Sequence, residues 1–313
     1  MSGLAPIVLF VYNRPEHTRN TLTALKANRL SVDSHLFIFA DGPKESASSK
    51  DHADIQSTRK VIREQEWCGT VTVVERPANI GLAENIIDGV TNIVNAHGKI
   101  IVLEDDIVTS ESFLTYMNNA LDLYNQDPQV MHVAGYSFPW LDASRIGMDT
   151  FFYRVASCWG WGTWARAWKF YHDDSEKLFV RLCEKNKMSS FDLGYSGGFL
   201  GQLNANIVKS ARTWAVKWYA SVHLQNGLAL HPAKSLVNNT GFDNSGENSA
   251  ATSMFENETL GSLDHVVREQ IVENKYVVST MYTRYRNSIA RKVKIFLANR
   301  IKNFIRLKYF TSH

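Results

Sequence analysis

The chain has 313 residues, 44% hydrophobic and 21% charged, enough apolar residue for a large core and without a collagen, coiled-coil or disorder signature. Its three cysteines, Cys68, Cys158 and Cys183, form no CxxC pair and no even-numbered framework, which argues against a disulfide or zinc scaffold and for a reducing compartment. The net charge of +3 is uneven: Asn274 to His313 holds ten basic residues and no acid, and the remaining 24 basic residues face 31 acidic ones, about −7 for the body. Two surfaces of opposite sign give no global preference for nucleic acid.

The opening stretch "MSGLAPIVLFVYNRPEH" has no basic region and only one strand's length of apolar residue, so it reads as neither signal peptide nor span, and the expected location is cytoplasmic. "PIVLFVYN" reads as a buried strand. "RPEHTRNTLTALKAN" reads as a helix, with Pro15 in its first turn and Asn13 paired with Glu16 as a cap. "HLFIFA" is a second strand, "DHADIQSTRKVIREQ" a helix and "GTVTVVE" a third strand. "GLAENIIDGVTNIVNAHG" is an amphipathic helix and "KIIVLED" a fourth strand, before the helical "SESFLTYMNNALDLYNQD". Apolar strands alternating with helices predict an α/β fold whose mostly parallel central sheet is flanked by helices, with ligands at the carboxyl ends of the strands. "NRP", "DGP", "ERPANIG" and "EDD" all fall at that edge.

The second half carries four tryptophans among glycines in "FFYRVASCWGWGTWARAWKFY", a helical "SEKLFVRLCEKNK", and a long loop "NNTGFDNSGENSAATS" at 238–253. No repeat or linker separates the halves. The expected organisation is a first half at 1–134, a second half of the same domain at 135–273, and a tail at 274–313.

At the end of the fourth strand stand Glu104, Asp105 and Asp106. A period of two puts Glu104 and Asp106 on one face and Asp105 on the other. Such acids can be solvated or can cap the next helix. Three together at a parallel-sheet edge also suit a hard divalent cation, Mn²⁺ or Mg²⁺, which combines one or two carboxylates with substrate phosphates.

"PIVLFVYNRP", "FIFADGP", "ERPANIGLAENI" and "VLEDDIVTS", in that order, resemble the nucleotide-binding half of GT-A-fold glycosyltransferases. The likeness is to bacterial transferases that build lipopolysaccharide and capsule chains, and to the layout of the N-acetylglucosaminyltransferase I group. It continues through "CWGWGTWARAW" and "TWAVKW" to about residue 250. The resemblance implies that Tyr12, Asn13 and Arg14 line the base and phosphate end of a nucleotide and that Asp41 bonds the base or ribose. It further implies that Asn79, Gly81 and Leu82 border the sugar-nucleotide, that Glu104 and Asp105 contact ribose and donor sugar, and that Asp106 binds the metal. Independently, Arg14 suits phosphate and Gly81 admits close backbone approach. A cap at 13–14 and a plain turn at 41–43 are the competing readings.

"CWGWGTWARAW" also matches G-x-G-x-x-A, but tryptophans beside its glycines would crowd the backbone approach that dinucleotide motif requires. It reads either as a core cluster or as a sugar and acceptor wall of Trp159, Trp161, Gly162 and Trp214, and the resemblance favours a loop beside the donor sugar. Two departures stand out. The family's acidic base beside the later tryptophan is absent, since Arg212, Thr213 and Ala215 flank Trp214. Where a histidine often follows, the chain reads Glu247-Asn248. Asp243 and Glu247 are the substitute catalytic candidates.

The tail from Arg284 to Tyr309 carries Ile289, Val293, Phe296, Leu297, Ile301, Phe304 and Ile305 on one helical stripe with basic flanks, a basic amphipathic helix suited to an anionic membrane surface. The expectation is a metal-dependent, inverting transferase, peripheral on the inner face of the membrane. It would move a sugar from a nucleotide donor, UDP-linked, to a glycan or lipid-linked acceptor. A sugar-nucleotide pyrophosphorylase and a non-catalytic sugar-binding assembly protein are the rivals.

Overall fold

The computed structural model describes residues 3–243 and 254–286. Strand β1 (Ile7–Val11) is buried along its whole length, and the chain leaves it into α1 (Pro15–Lys26). Proline suits that first helical position because its missing N–H would be unpaired there anyway. Next come β2 (His35–Ala40), α2 (Ser49–Val61), β3 (Thr70–Glu75), α3 (Leu82–His97) and β4 (Lys99–Glu104). Helix α2 starts two residues before the expected stretch because Ser48 and Asp51 make a reciprocal capping box. Helix α3 stops at Gly98, whose φ of 81° is the left-handed conformation glycine adopts without strain.

The chain then makes β5 (Ile107–Thr109), α4 (Phe113–Leu123), β6 (Val130–Ala134), α5 (Ala143–Ile146), β7 (Thr150–Tyr153) and β8 (Trp161–Trp164). It continues through α6 (Ala165–Trp168), α7 (Ser175–Glu184), α8 (Met188–Phe191), α9 (Phe199–Ile207) and α10 (Ala215–Leu224). Strands β9 (Leu228–Pro232) and β10 (Val237–Asn239) and helix α11 (Lys275–Arg286) complete the described residues.

The fold is mixed α/β. Eight strands form one sheet in the order β3-β2-β1-β4-β8-β6-β9-β7, and β5 pairs antiparallel with β10 beside it. Strands β7 and β8 run against the other six, so the sheet is mostly parallel. The two-residue period of β1 sorts its side chains into two cores. Val8 and Phe10 pack with α3 residues Ile86 and Val90, while Ile7, Leu9 and Val11 pack with Leu22 and Leu25 of α1. Edge strand β3 shows no such double burial and alternates between exposed and half-buried positions.

Three expectations differ from the structure. The tryptophan stretch contributes β8, inserted in mid-sheet between β4 and β6, rather than a loop, because its small Gly162 lets β4 and Met117 approach closely. Strand β4 ends at Glu104, so the period of two stops there and Asp105 and Asp106 lie in the following turn. Helix α1 is capped by Arg14 with no side-chain cap, and Asn13 instead donates from Nδ2 to Asp51 Oδ1 at 3.5 Å. Most of the amphipathic tail, and residues 244–253 of the long loop, lie outside the described residues. No described helix is long and apolar enough to cross a membrane.

Candidate functional site

At the carboxyl ends of β1, β2 and β4 the chain encloses a cavity of about 350 Å³. Tyr12, Asn13, Arg14, Asp41, Asn79, Gly81, Leu82, Glu104, Asp105, Asp106, Trp159 and Trp214 all line it, although they come from six separate stretches of chain. Trp161 and Gly162 do not. Both lie in β8, where Trp161 is fully buried. Asp243 sits nearby on the loop, with Oδ2 3.2 Å from His17 Nε2. Glu247 lies outside the described residues.

One wall of the cavity is acidic. With its backbone capping α1, Arg14 sends its side chain across to the acids. Nη2 donates to Asp105 Oδ1 and, at 2.9 Å, to Asp106 Oδ2, while Nε donates to Asp105 Oδ2 at 3.3 Å. Both carboxylates therefore face Arg14, which the strand period would not have allowed. Burial pushes the Glu104 carboxyl up to about 8, helped by the negative charges of Asp106 and Asp105. Burial also raises Asp105, against the pull of Arg14. One guanidinium thus pairs with two aspartates, and Glu104 stands beside them outside those ion pairs.

The same cavity is also lined by donors. Helices α1, α3 and α10 all begin at the cavity, at Arg14, Gly81 and Trp214, and none of the three has a side-chain N-cap. Helix N-termini present unpaired N–H groups and the positive end of the dipole, which together favour anions. Arg212 also lines the cavity and is held by Glu84 and by Asp173, to which Nη2 donates at 2.8 Å. The position where the family resemblance calls for a carboxylate is therefore a cation anchored at the rim.

The Asp41 carboxylate holds a turn at the cavity. Its Oδ1 accepts from the backbone N–H of Gly42 at 2.8 Å and of Ile80 at 3.0 Å. Its Oδ2 accepts from Asn79 Nδ2 at 3.0 Å and from Gly81 N at 3.1 Å. Four donors fill the capacity of an ionised carboxylate. Asp41 ties the "ANIG" turn to the end of β2 and so sets the start of α3. Gly81, at φ 86°, is the residue that permits that entry.

A third set of residues closes the site from the loop side. Thr240 donates from its N–H (2.9 Å) and its Oγ1 (3.1 Å) to Asp106 O, and the backbone of Gly241 lies against the Asp106 carboxylate. His17 reaches Thr240 O at 3.3 Å as well as Asp243. Sequence reading missed His17, Arg212 and Phe242. His17 lies one turn after Arg14 on the same helix, which was a usable signal, whereas nothing local marks the other two as neighbours of the acids.

The donor set fits a divalent cation. Hard carboxylate oxygens face a cavity and are under-compensated by Arg14, although among the described residues no cluster of three ligands converges on one point. Such an ion needs further oxygen from a substrate.

No protein-family model matches the chain, and no curated protein matches its sequence. Among solved structures the chain is similar to a mannosyltransferase of Pyrobaculum calidifontis, PcManGT, in complex with GDP-Man and Mn²⁺. The two are 10% identical, with a TM-score of 0.42 over 72% of this chain and 70% of that one. It is also similar to the galactosyltransferase LgtC in complex with donor and acceptor sugar analogs, at 13% identity and a TM-score of 0.35 over 70% of each chain. Similarity to TarS of S. aureus is 9% identity with a TM-score of 0.29, over 42% of this chain and 21% of that one.

Proposed function

We propose that the chain is a metal-assisted glycosyltransferase that takes a sugar from a nucleoside-diphosphate donor. The observation that carries this reading is that one cavity is lined both by the acidic Glu104–Asp106 run and by the starts of three helices without side-chain N-caps. A diphosphate meets both needs, since its anionic oxygens suit the helix starts and Arg14, and its metal suits Asp106. Asp106 would hold Mn²⁺ or Mg²⁺, which when bound stabilises charge on the departing diphosphate. Glu104 and Asp105 would face ribose and sugar, and Tyr12 and Asn13 the base. Asn79 and Leu82 would border the donor. Trp159 and Phe242 would offer aromatic surface to sugars in the cavity, with the buried Trp214 behind them in its lining.

The acceptor hydroxyl needs a base, and Asp243, beside His17, or Glu247 would supply it in an inverting displacement. A non-catalytic donor-binding protein remains the second reading, because the described cavity lining has no carboxylate beyond Asp41 and the Glu104–Asp106 run. Release of free sugar from UDP- and GDP-sugars in Mn²⁺ separates the two. Turnover that falls about 10²–10⁴-fold in Asp243→Ala or Glu247→Ala, with donor affinity kept, supports the base assignment. Absence of turnover with every donor supports the second reading.

The acceptor would be a glycan or lipid-linked glycan at an anionic membrane, reached through the apolar stripe and basic flanks of residues 284–309. Because α11 runs to Arg286 and Arg284 stacks on Trp140, at 4.0 Å from the ring centroid, the informative truncation is after Arg286. Equal recovery of full-length and truncated protein on anionic vesicles would remove the membrane role.

A further inference from the structure

We infer that Arg14 is a competing cation that makes metal binding at Asp106 conditional on the nucleotide's diphosphate, an inference that rests on the donor site proposed above. The Arg14 guanidinium occupies Asp106 Oδ2 and both oxygens of Asp105, so it stands where a metal drawn to these carboxylates would also be drawn. Its third nitrogen, Nη1, is buried and has no hydrogen-bond partner among the described residues. A buried donor without an acceptor is costly, and an arriving anionic oxygen would relieve that cost.

The cation and the acids are confined together. A Cβ built on Gly241 would lie 2.1 Å from Asp106 Oδ2 and 3.1 Å from Arg14 Nη1, so the loop backbone lies directly against the pair. Thr240 fixes the Asp106 carbonyl from the same side, and Thr21 Oγ1 donates to the Asp105 carbonyl at 2.8 Å from α1. On the loop side Arg14 has no room to move away from Asp106. A divalent ion entering alone must therefore share Asp106 with a guanidinium, and salt screens such a partly buried repulsion poorly.

A diphosphate changes the balance. It adds negative charge between the two cations and gives Nη1 an acceptor, so each cation favours the diphosphate and the diphosphate favours both. Coupling of this kind is reciprocal: nucleotide must tighten metal binding by the factor by which metal tightens nucleotide binding. The chain would thus bind metal as a metal–diphosphate pair and hold little bare metal between turnovers.

The test is a titration of Mn²⁺ against the full chain, read by the loss of the free-ion electron paramagnetic resonance signal, with and without UDP or GDP. Arg14→Gln should bind Mn²⁺ alone about tenfold more tightly than the wild type and bind UDP or GDP alone about tenfold more weakly, with the coupling reduced. Arg14→Lys keeps one charge but loses the fork, and should tighten Mn²⁺ alone by a smaller factor. The lysine variant decides the matter if the glutamine variant fails to melt cooperatively. Unchanged or weaker Mn²⁺ binding in the folded variants would overturn the competing-cation role while leaving the nucleotide site standing. If neither UDP nor GDP alters Mn²⁺ binding by the wild type, the donor-site reading itself fails.

Discussion

The acidic edge and the tryptophan layer adjoin at Trp214, which lines the cavity and stacks on Trp161 at 5.1 Å between centroids, yet they bury polar groups in opposite ways. In the layer, Trp161 lies flat against His132 and Trp168 packs on Trp218, and the ring nitrogens of Trp168 and Trp218 find partners, while Trp161 Nε1 is buried with none among the described residues. Trp218 Nε1 donates to His132 Nδ1 at 3.1 Å, while His132 Nε2 donates to Ser157 O at 2.9 Å, so this imidazole is neutral. Burial holds its pKa down to about 3. At the edge, by contrast, Asp105 and Asp106 share one guanidinium and the neighbouring Glu104 is pushed up to about 8. Close-packed rings and neutral polar groups make the layer a scaffold. Unsatisfied charge makes the edge a place for a ligand.

The largest expected effect separates the two regions by stability. Trp161→Ala empties a fully buried site in mid-sheet and should cost about 3–5 kcal/mol in denaturant unfolding. Trp159→Ala, at the half-buried cavity mouth, should cost much less stability and act mainly on acceptor or sugar affinity. Equal destabilisation by both would erase the distinction between scaffold and wall.

A smaller effect sharpens the edge itself. Asp41→Ala strands the donors of Gly42, Asn79, Ile80 and Gly81, and should destabilise by about 1–3 kcal/mol. Donor affinity should fall as well, because the start of α3 loses its tether. Loss of affinity with no change in stability would instead mean that Asp41 contacts the nucleotide directly.

The smallest effect is a pH signature of opposite sign in the two regions. A carboxyl raised in the folded state contributes stability below its unfolded pKa and loses it as pH rises through the folded value. Glu104 should therefore weaken the metal-free chain from about pH 4.5 to 8. A histidine lowered in the folded state contributes stability above about pH 6.5 and loses it as pH falls toward the folded value. His132, His223 and His231 should therefore weaken the chain on the acid side. Melting temperature against pH should fall on both sides of a maximum, and Mn²⁺ with UDP should flatten only the alkaline side. Flattening of the acid side instead would place the ligand in the wrong region.

How far each region could be read from the amino-acid sequence follows the same division. Strands β1, β2, β3 and β4 are local apolar runs followed by polar turns, so their existence, order and carboxyl edge were legible. Strands β5 to β10 were not, because Trp161 to Trp164 is short and aromatic and its strand identity comes from neighbours 30 and 60 residues away, at β6 and β4. At the site, "EDD" and "NRP" announced themselves by residue type. That Arg14 bridges both aspartates, and that Arg212 forms a rim, depends on tertiary approach that no local pattern encodes.

The central claim is that the edge cavity binds a nucleoside-diphosphate sugar through a metal on Asp106. Calorimetric titration of a UDP- and GDP-sugar panel, with Mn²⁺ and again with a chelator, tests it most directly. At least one donor should bind in Mn²⁺ and lose at least about tenfold in affinity, 1.4 kcal/mol, on chelation and in Asp106→Asn. A donor that binds equally well with chelator present and to Asp106→Asn, or a panel in which none binds, would contradict it.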